Sequence, residues 1–254
     1  MPLAAEQVRN YAPAATALQD RVILITGAGG SIGAALARAC ASLGARVVLC
    51  GRTVRKLEAV YDSIVAAGSP RPAIAPLDFE KADASEYDAL ADAVGGEFGR
   101  IDGLAHVAAL LGDRSPVKHY DVPTWLKVMH VNVNAPFILT RTLIPLLERS
   151  SDPSIVFTTS GVSVRGRAYW GAYAASKFAV EGLMQVLADE LDTEARIRVN
   201  SVNPGKVRSG MRASAFPGED AALLATPESV LSPFLYLLGP DSREVTGCRF
   251  DAQL

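Results

Sequence analysis

"RVILITGAGGSIGAALARACASLG" spans residues 21–44, and its reading decides the fold. "RVILIT" (21–26) is a continuous apolar, β-branched run, too short for a helix and typical of a strand covered on both faces. "SIGAALARACASLG" (31–44) follows with helical spacing and ends in Gly44, a residue suited to a helix C-terminus. Between them lies the turn "TGAGGSIG" (26–33). Gly27, Gly30 and Gly33 permit a tight turn, a close backbone approach to a phosphate, and tight helix–strand contact. The helix start then offers free N–H groups and a positive dipole end to a pyrophosphate. A ligand-free βα turn would use glycines too, but the strand before and the helix after favour dinucleotide binding. The contacts expected here are Gly27, Gly30, Ser31, Ile32 and Gly33.

The alternation continues outward. Strands are expected at 45–50, 73–78, 101–110, 153–160, 197–205 and 246–252. Helices are expected from Thr53 to about Ala67, near 83–98, over 121–149 with an interruption at Asn132–Pro136, over 171–193, and at 227–239. A Pro-, Gly- and Ser-containing segment covers 206–226. Strands alternating with helices imply right-handed crossovers. The expected fold is therefore α/β, a Rossmann-type doubly wound parallel sheet of about seven strands with helices on both faces. Residues 1–20, rich in Ala and Pro, read as an N-terminal arm before a single dinucleotide-binding domain over 21–254.

With 49% hydrophobic and 20% charged residues, the 254-residue chain has the material for a packed core. A net charge of -2 with mixed signs provides no basic stripe for nucleic acid. The N-terminus lacks the pattern of a secretory signal, and no run of eighteen apolar residues suggests a membrane span. Cys40, Cys50 and Cys248 are far apart and odd in number, so buried, reduced thiols in a cytoplasmic protein are expected. His106, His119 and His130 show no metal-ligand spacing, and no metal is expected.

"AYWGAYAASKFAV" (168–180) places Tyr173 and Lys177 four apart on a helix, hence on one face. Taken alone the pair reads as a solvated patch. Ser160 in "VFTTSGV" alone reads as a strand-end hydrogen bonder, Asn132 as a helix-breaking cap, and Asp78 as the end of a strand.

Their joint order is more specific. The glycine turn, Asp78, Asn132 in "HVNVNAPF", Ser160, "YAASK" (173–177) and "NPGKVRS" (203–209) follow one another as in the short-chain dehydrogenase/reductase family. The chain resembles that family over essentially its whole length from Arg21. "RGRAYWGAYAASKFAVEGLMQVLADE" and "MRASAFPGED" are similar, more narrowly, to its YciK-type oxidoreductases. Two departures stand out. The glycines follow TGxxGxxG, with Ser31 where the single-domain branch has glycine, as in the longer, epimerase-like branch. "HVAA" (106–109) replaces the family's Asn-Asn-Ala-Gly.

The resemblance implies a hydride exchanged between a nicotinamide and a carbonyl or alcohol, with Tyr173 as acid in reduction and base in oxidation. A free tyrosine titrates near 10, and the Lys177 ammonium is expected to favour its phenolate. Lys177 would also hold the nicotinamide ribose, and Ser160 the substrate oxygen. Asn132 would position a water in a proton relay, and Asp78 would contact the adenine. Asn203, Pro204 and Gly205 would wrap the carboxamide, Val207 and Ser209 would extend the cofactor contacts, and the stretch to about Thr226 would form a lid.

The cofactor's identity is read at "LCGRTVRK". An NAD site of this fold places an acid near the end of the second strand. Here Gly51 leaves room for a 2′-phosphate, Arg52 can pair with it, and Thr53 can cap the next helix. NADP(H) is expected over NAD(H). Five cations, Arg165, Arg167, Lys206, Arg208 and Arg212, flank the expected mouth and raise an anionic substrate as an option. An epimerase or dehydratase, or an NADP-binding sensor, remain alternatives to an NADP(H)-dependent oxidoreductase. Small-molecule substrates and a homodimer or homotetramer, formed through the Ala- and Leu-rich faces of 124–149 and 173–191, complete the expectation.

Overall fold

The computed structural model describes residues 4–194 and 196–254. β1 (Val22–Thr26) is buried at all five positions, as an unbroken apolar run requires. Its side chains alternate: Ile23 and Ile25 enter one core, Val22 and Leu24 the other. The partners of β1 are β2 (Arg46–Gly51) on one side and β4 (Gly103–His106) on the other, both parallel. With β3 (Ala73–Pro76), β5 (Ser154–Thr158), β6 (Arg198–Asn203) and β7 (Arg249–Asp251), the sheet has seven parallel strands in the order β3-β2-β1-β4-β5-β6-β7.

Helices cover both faces. One core joins Ile23 and Ile25 to α2 (Ser31–Ser42), α3 (Val54–Ala66) and α9 (Ser232–Leu238). The other joins Leu24 to α4 (Ala84–Phe98), α6 (Ala135–Leu147) and α7 (Gly171–Glu194). Burying one such aliphatic side chain contributes about 1.5–3 kcal/mol. α2 stops where expected: Gly44 has φ +94°, and Ala45 N–H closes back on the Cys40 carbonyl at 3.1 Å. α4 starts on Asp83, whose carboxylate accepts from the N–H groups of Ser85 and Glu86.

Several strands are shorter than the sequence suggests. β4 ends at His106 because the Val107 and Ala108 amides turn to the Thr26 hydroxyl, at 3.0 and 3.1 Å, and leave the sheet. The 121–149 stretch is not broken at Asn132–Pro136. α5 (Val122–Met129) runs through a π-turn, His130–Asn134, directly into α6. Pro136 lacks an N–H and cannot give the Asn132 carbonyl its α-helical partner, so the ladder widens there.

Residues ahead of β1 are part of the packing. α1 (Ala5–Arg9) and the following turn bury Val8 and Leu18 in the core that holds α9. The Tyr11 hydroxyl donates to Asp241 at 2.8 Å. Two cysteines, Cys40 and Cys50, are buried, and burial pushes each thiol up to about 12. Cys248 is exposed, contrary to the expectation for all three, because it precedes the short edge strand β7 instead of lying within it. No helix among the described residues is long and apolar enough to cross a membrane.

Candidate active site

A cavity of about 580 Å³ opens at the carboxyl ends of the strands, where doubly wound sheets bind ligands. It runs from the glycine turn, past the end of β2, to Ser160, Tyr173 and Lys177. Every expected cofactor residue lines it: Gly27, Gly30, Ser31, Ile32, Gly33, Arg52, Asp78, Lys177, Pro204, Gly205, Val207 and Ser209.

The turn explains its glycines. Gly27 has φ +66°, and a Cβ there would lie 2.9 Å from the Ala108 backbone. A Cβ on Gly33 would lie 2.2 Å from the Gly27 carbonyl oxygen, so only glycine lets α2 start this close to the turn. Thr53 sits at the N-cap of α3, but its side chain makes no capping hydrogen bond, so that expectation fails. The Arg52 side chain is 59% exposed, with Glu80 3.9 Å away. Lys127 claims the same carboxylate at 2.8 Å and leaves the guanidinium of Arg52 open toward the cavity mouth.

At the other end, α7 brings Tyr173 and Lys177 under the end of β5. Both are buried, at 8% and 4% exposure. Lys177 Nζ donates to the Thr158 carbonyl at 2.7 Å and lies 5.7 Å from the centre of the Tyr173 ring. Burial holds Lys177 down at about 8, with Glu181 pulling upward. Burial pushes Tyr173 up to about 12, opposed by hydrogen bonding from Ser160. Tyr173 is thus a hydroxyl that holds its proton through neutral pH.

Asn132 lies off the cavity wall. Its Oδ1 accepts from Leu110 N–H at 2.7 Å, and its Nδ2 donates to the Leu110 carbonyl at 2.8 Å and to Ser176 Oγ at 3.0 Å. The side chain is fully committed to bracing the cavity-lining loop against α7. Ser209 caps α8 (Gly210–Ala215), accepting from Arg212 N–H at 3.1 Å. His106, in the "HVAA" departure, is buried and stacked on Phe157, with Nε2 2.9 Å from Thr140 Oγ1. Burial pulls it down to about 3, so it is neutral.

Of the five cations expected at the mouth, only Arg212 lines the cavity. Its Nη2 donates to Glu219 at 2.6 Å, which balances the charge. Arg208 turns to the Ala221 carbonyl at 2.9 Å, and Arg165, Arg167 and Lys206 point into solvent. The wall beside Tyr173 is instead apolar: Leu111, Trp170 and Met211 pack against Val162 and Tyr173. Sequence reading missed Thr158 and Thr159, whose buried hydroxyls lack a partner on the cavity wall. It also missed Trp170 and Glu181. Only Glu181 had a signal, as a lone acid one helical turn beyond Lys177. Among the described residues no group of His, Cys, Asp or Glu is arranged to hold a metal.

The glycine cradle at the start of α2 fits a dinucleotide. The short chain dehydrogenase family profile matches residues 21–220. The chain belongs to that family, and it is an oxidoreductase of the short-chain dehydrogenase/reductase type. It is 47% identical over 244 residues to the oxidoreductase YciK of Escherichia coli (strain K12), covering 96% of each protein. A solved short chain dehydrogenase from Pseudomonas syringae is 52% identical, with a TM-score of 0.94 over 96% of this chain and 98% of that one. Another, from Shigella flexneri 2a and complexed with NADP, is 46% identical with a TM-score of 0.92, over 95% of this chain and all of that one.

Proposed function

We propose that this chain is an NADP(H)-dependent oxidoreductase that interconverts a carbonyl and an alcohol, with Tyr173 as acid and base. The observation that carries the reading is a single cavity joining the glycine turn to Ser160 and to the buried Tyr173 and Lys177. Bound there, the nicotinamide supplies or accepts the hydride.

The chain's own groups handle everything else. Tyr173, protonated at neutral pH, gives its proton to the carbonyl oxygen in reduction. The Ser160 hydroxyl donates to the same oxygen and stabilises charge as it develops. Lys177 holds the ribose hydroxyls and keeps a positive charge beside the tyrosine as it loses its proton. Because the Asn132 side chain is engaged, a relay water near Lys177 would be held by the Asn132 main-chain carbonyl, which Pro136 cannot serve. Arg52 would pair with the 2′-phosphate of NADP(H) through its planar fork, since Gly51 at the end of β2 carries no carboxylate and Lys127 holds the nearby Glu80 at 2.8 Å. The NADP complex of the Shigella flexneri relative supports the same cofactor.

The substrate is read as neutral and apolar on the side away from the carbonyl, since Leu111, Trp170 and Met211 form the wall and Arg212 is neutralised by Glu219. Residues 21–254 act as one catalytic domain that the N-terminal arm braces. Half-exposed Phe137 and Phe178, with Val186, suit α6 and α7 to self-association as a dimer or tetramer.

A panel of neutral, carboxylated and polyhydroxylated aldehydes, offered with NADPH and NADH, tests the reading at the nicotinamide absorbance. NADPH consumption with the neutral apolar members is expected. Product without net absorbance change would point to an epimerase, and tight NADPH binding without product to a sensor.

A further inference from the structure

We propose that Glu181 is a positioning residue for the catalytic groups, holding the Ser160 turn through Ser163 and setting a carboxylate one helical turn from Lys177. This rests on the assignment of Lys177 to the cofactor ribose. Glu181 is 7% exposed and lies outside the cavity lining.

Three elements converge on it. The Ser163 hydroxyl lies 2.6 Å from the Ser160 carbonyl oxygen and 3.0 Å from Glu181 Oε1, its one proton shared between the two acceptors. From β6, the Ser201 hydroxyl donates to Oε2 at 2.7 Å. From β7, Arg249 Nε donates to Oε1 at 3.1 Å, and both its terminal nitrogens donate to Asp251 at 2.9 Å. Asp251 in turn accepts from Asn203 Nδ2 at 2.6 Å. One buried carboxylate thereby links the serine turn, the lysine helix and the loop Asn203–Pro204–Gly205.

A buried carboxylate that accepts from three donors is held rigidly. Among the described residues, the charged and titratable groups found around Lys177 are Tyr173 and Glu181 on its own helix and His106 from β4. His106 is neutral, and Arg249 meets Glu181 at Oε1, the oxygen that Ser163 also reaches. Glu181 is therefore the nearby anion that offsets the burial of the ammonium. Without it, Lys177 would lose its proton at lower pH.

The test is NADPH affinity against pH, followed by nicotinamide fluorescence, in the wild type, Glu181→Gln, Glu181→Leu and Lys177→Met. The wild type should weaken with a midpoint near 8, and Lys177→Met should lack that limb. Glu181→Gln keeps the shape and one of the two acceptor oxygens but not the charge, so its midpoint should fall by roughly one pH unit. Its melting temperature should change little. Glu181→Leu should show the same shift and additionally lose turnover at low pH, because the Ser160 turn is released. A Glu181→Gln midpoint equal to the wild type's overturns the inference while leaving Lys177 at the ribose. A wild type without a limb, or one that survives in Lys177→Met, overturns the assignment of Lys177 and the inference with it. If Glu181→Leu does not fold, the near-isosteric Gln variant decides.

Discussion

The two ends of the sheet bury charge in opposite ways. At the amino ends of the strands, Arg21, Asp102, Asp152 and Arg198 close on one another. Asp152 takes Arg21 at 2.9 Å and Arg198 at 3.1 Å, while Asp102 takes Arg100 at 3.0 Å and the Val22 amide at 2.8 Å. Apart from the Nε atoms of the two buried arginines, that network is satisfied. At the carboxyl ends, Lys177 reaches only a carbonyl, Tyr173 keeps a proton it has little reason to release, and two threonine hydroxyls have no partner. Buried polar groups left unpaired cost stability. The closed end is built for folding, the open end for binding and chemistry.

This contrast can be broken by experiment. The largest effect is expected from Tyr173→Phe, which removes the titrating hydroxyl and keeps the ring. Turnover should fall by about 10²- to 10⁴-fold while NADPH affinity stays near wild type, and retention of a tenth of the activity would refute the acid assignment. Next comes Asp152→Ala at the closed end. It removes the carboxylate shared by the buried Arg198 and the partly buried Arg21 and should cost about 3–5 kcal/mol of stability, read by urea denaturation, with NADPH affinity unchanged in the folded protein. Weaker NADPH binding would show that the ends are not separable. The smallest effect sharpens the open end. Arg52→Ala removes one charge-assisted contact, worth roughly 1.5–3 kcal/mol, so NADPH binding should weaken about 10- to 100-fold and NADH binding hardly at all. Equal losses for both cofactors in parallel titrations would remove Arg52 from the 2′-phosphate.

Much of the open end was legible because its signals are local. The strand–turn–helix at 21–44 follows from an apolar run, spaced glycines and a helical period. Tyr173 and Lys177 meet because α7 places residues four apart on one face. The closed end was opaque. Arg21, Asp102, Asp152 and Arg198 are distant in sequence, and nothing in their neighbourhoods marks them as partners. What the cations near the mouth face was opaque for the same reason. Proximity in sequence suggested an anionic site, but the fold turns Arg208 and Arg212 onto a carbonyl and Glu219 and leaves the others in water.

The sequence by itself determined the α/β alternation, the parallel sheet, the dinucleotide turn and the residue types at the candidate chemistry. These depend on backbone propensity, side-chain periodicity and short-range geometry. Only the tertiary structure decided where β4 ends, that Asn132 braces Leu110 instead of facing the cavity, and that Tyr173 is pushed up to about 12. It alone brought Glu181 to Ser163, Ser201 and Arg249. Desolvation and long-range pairing depend on what surrounds a residue in three dimensions, and a linear pattern does not carry that information.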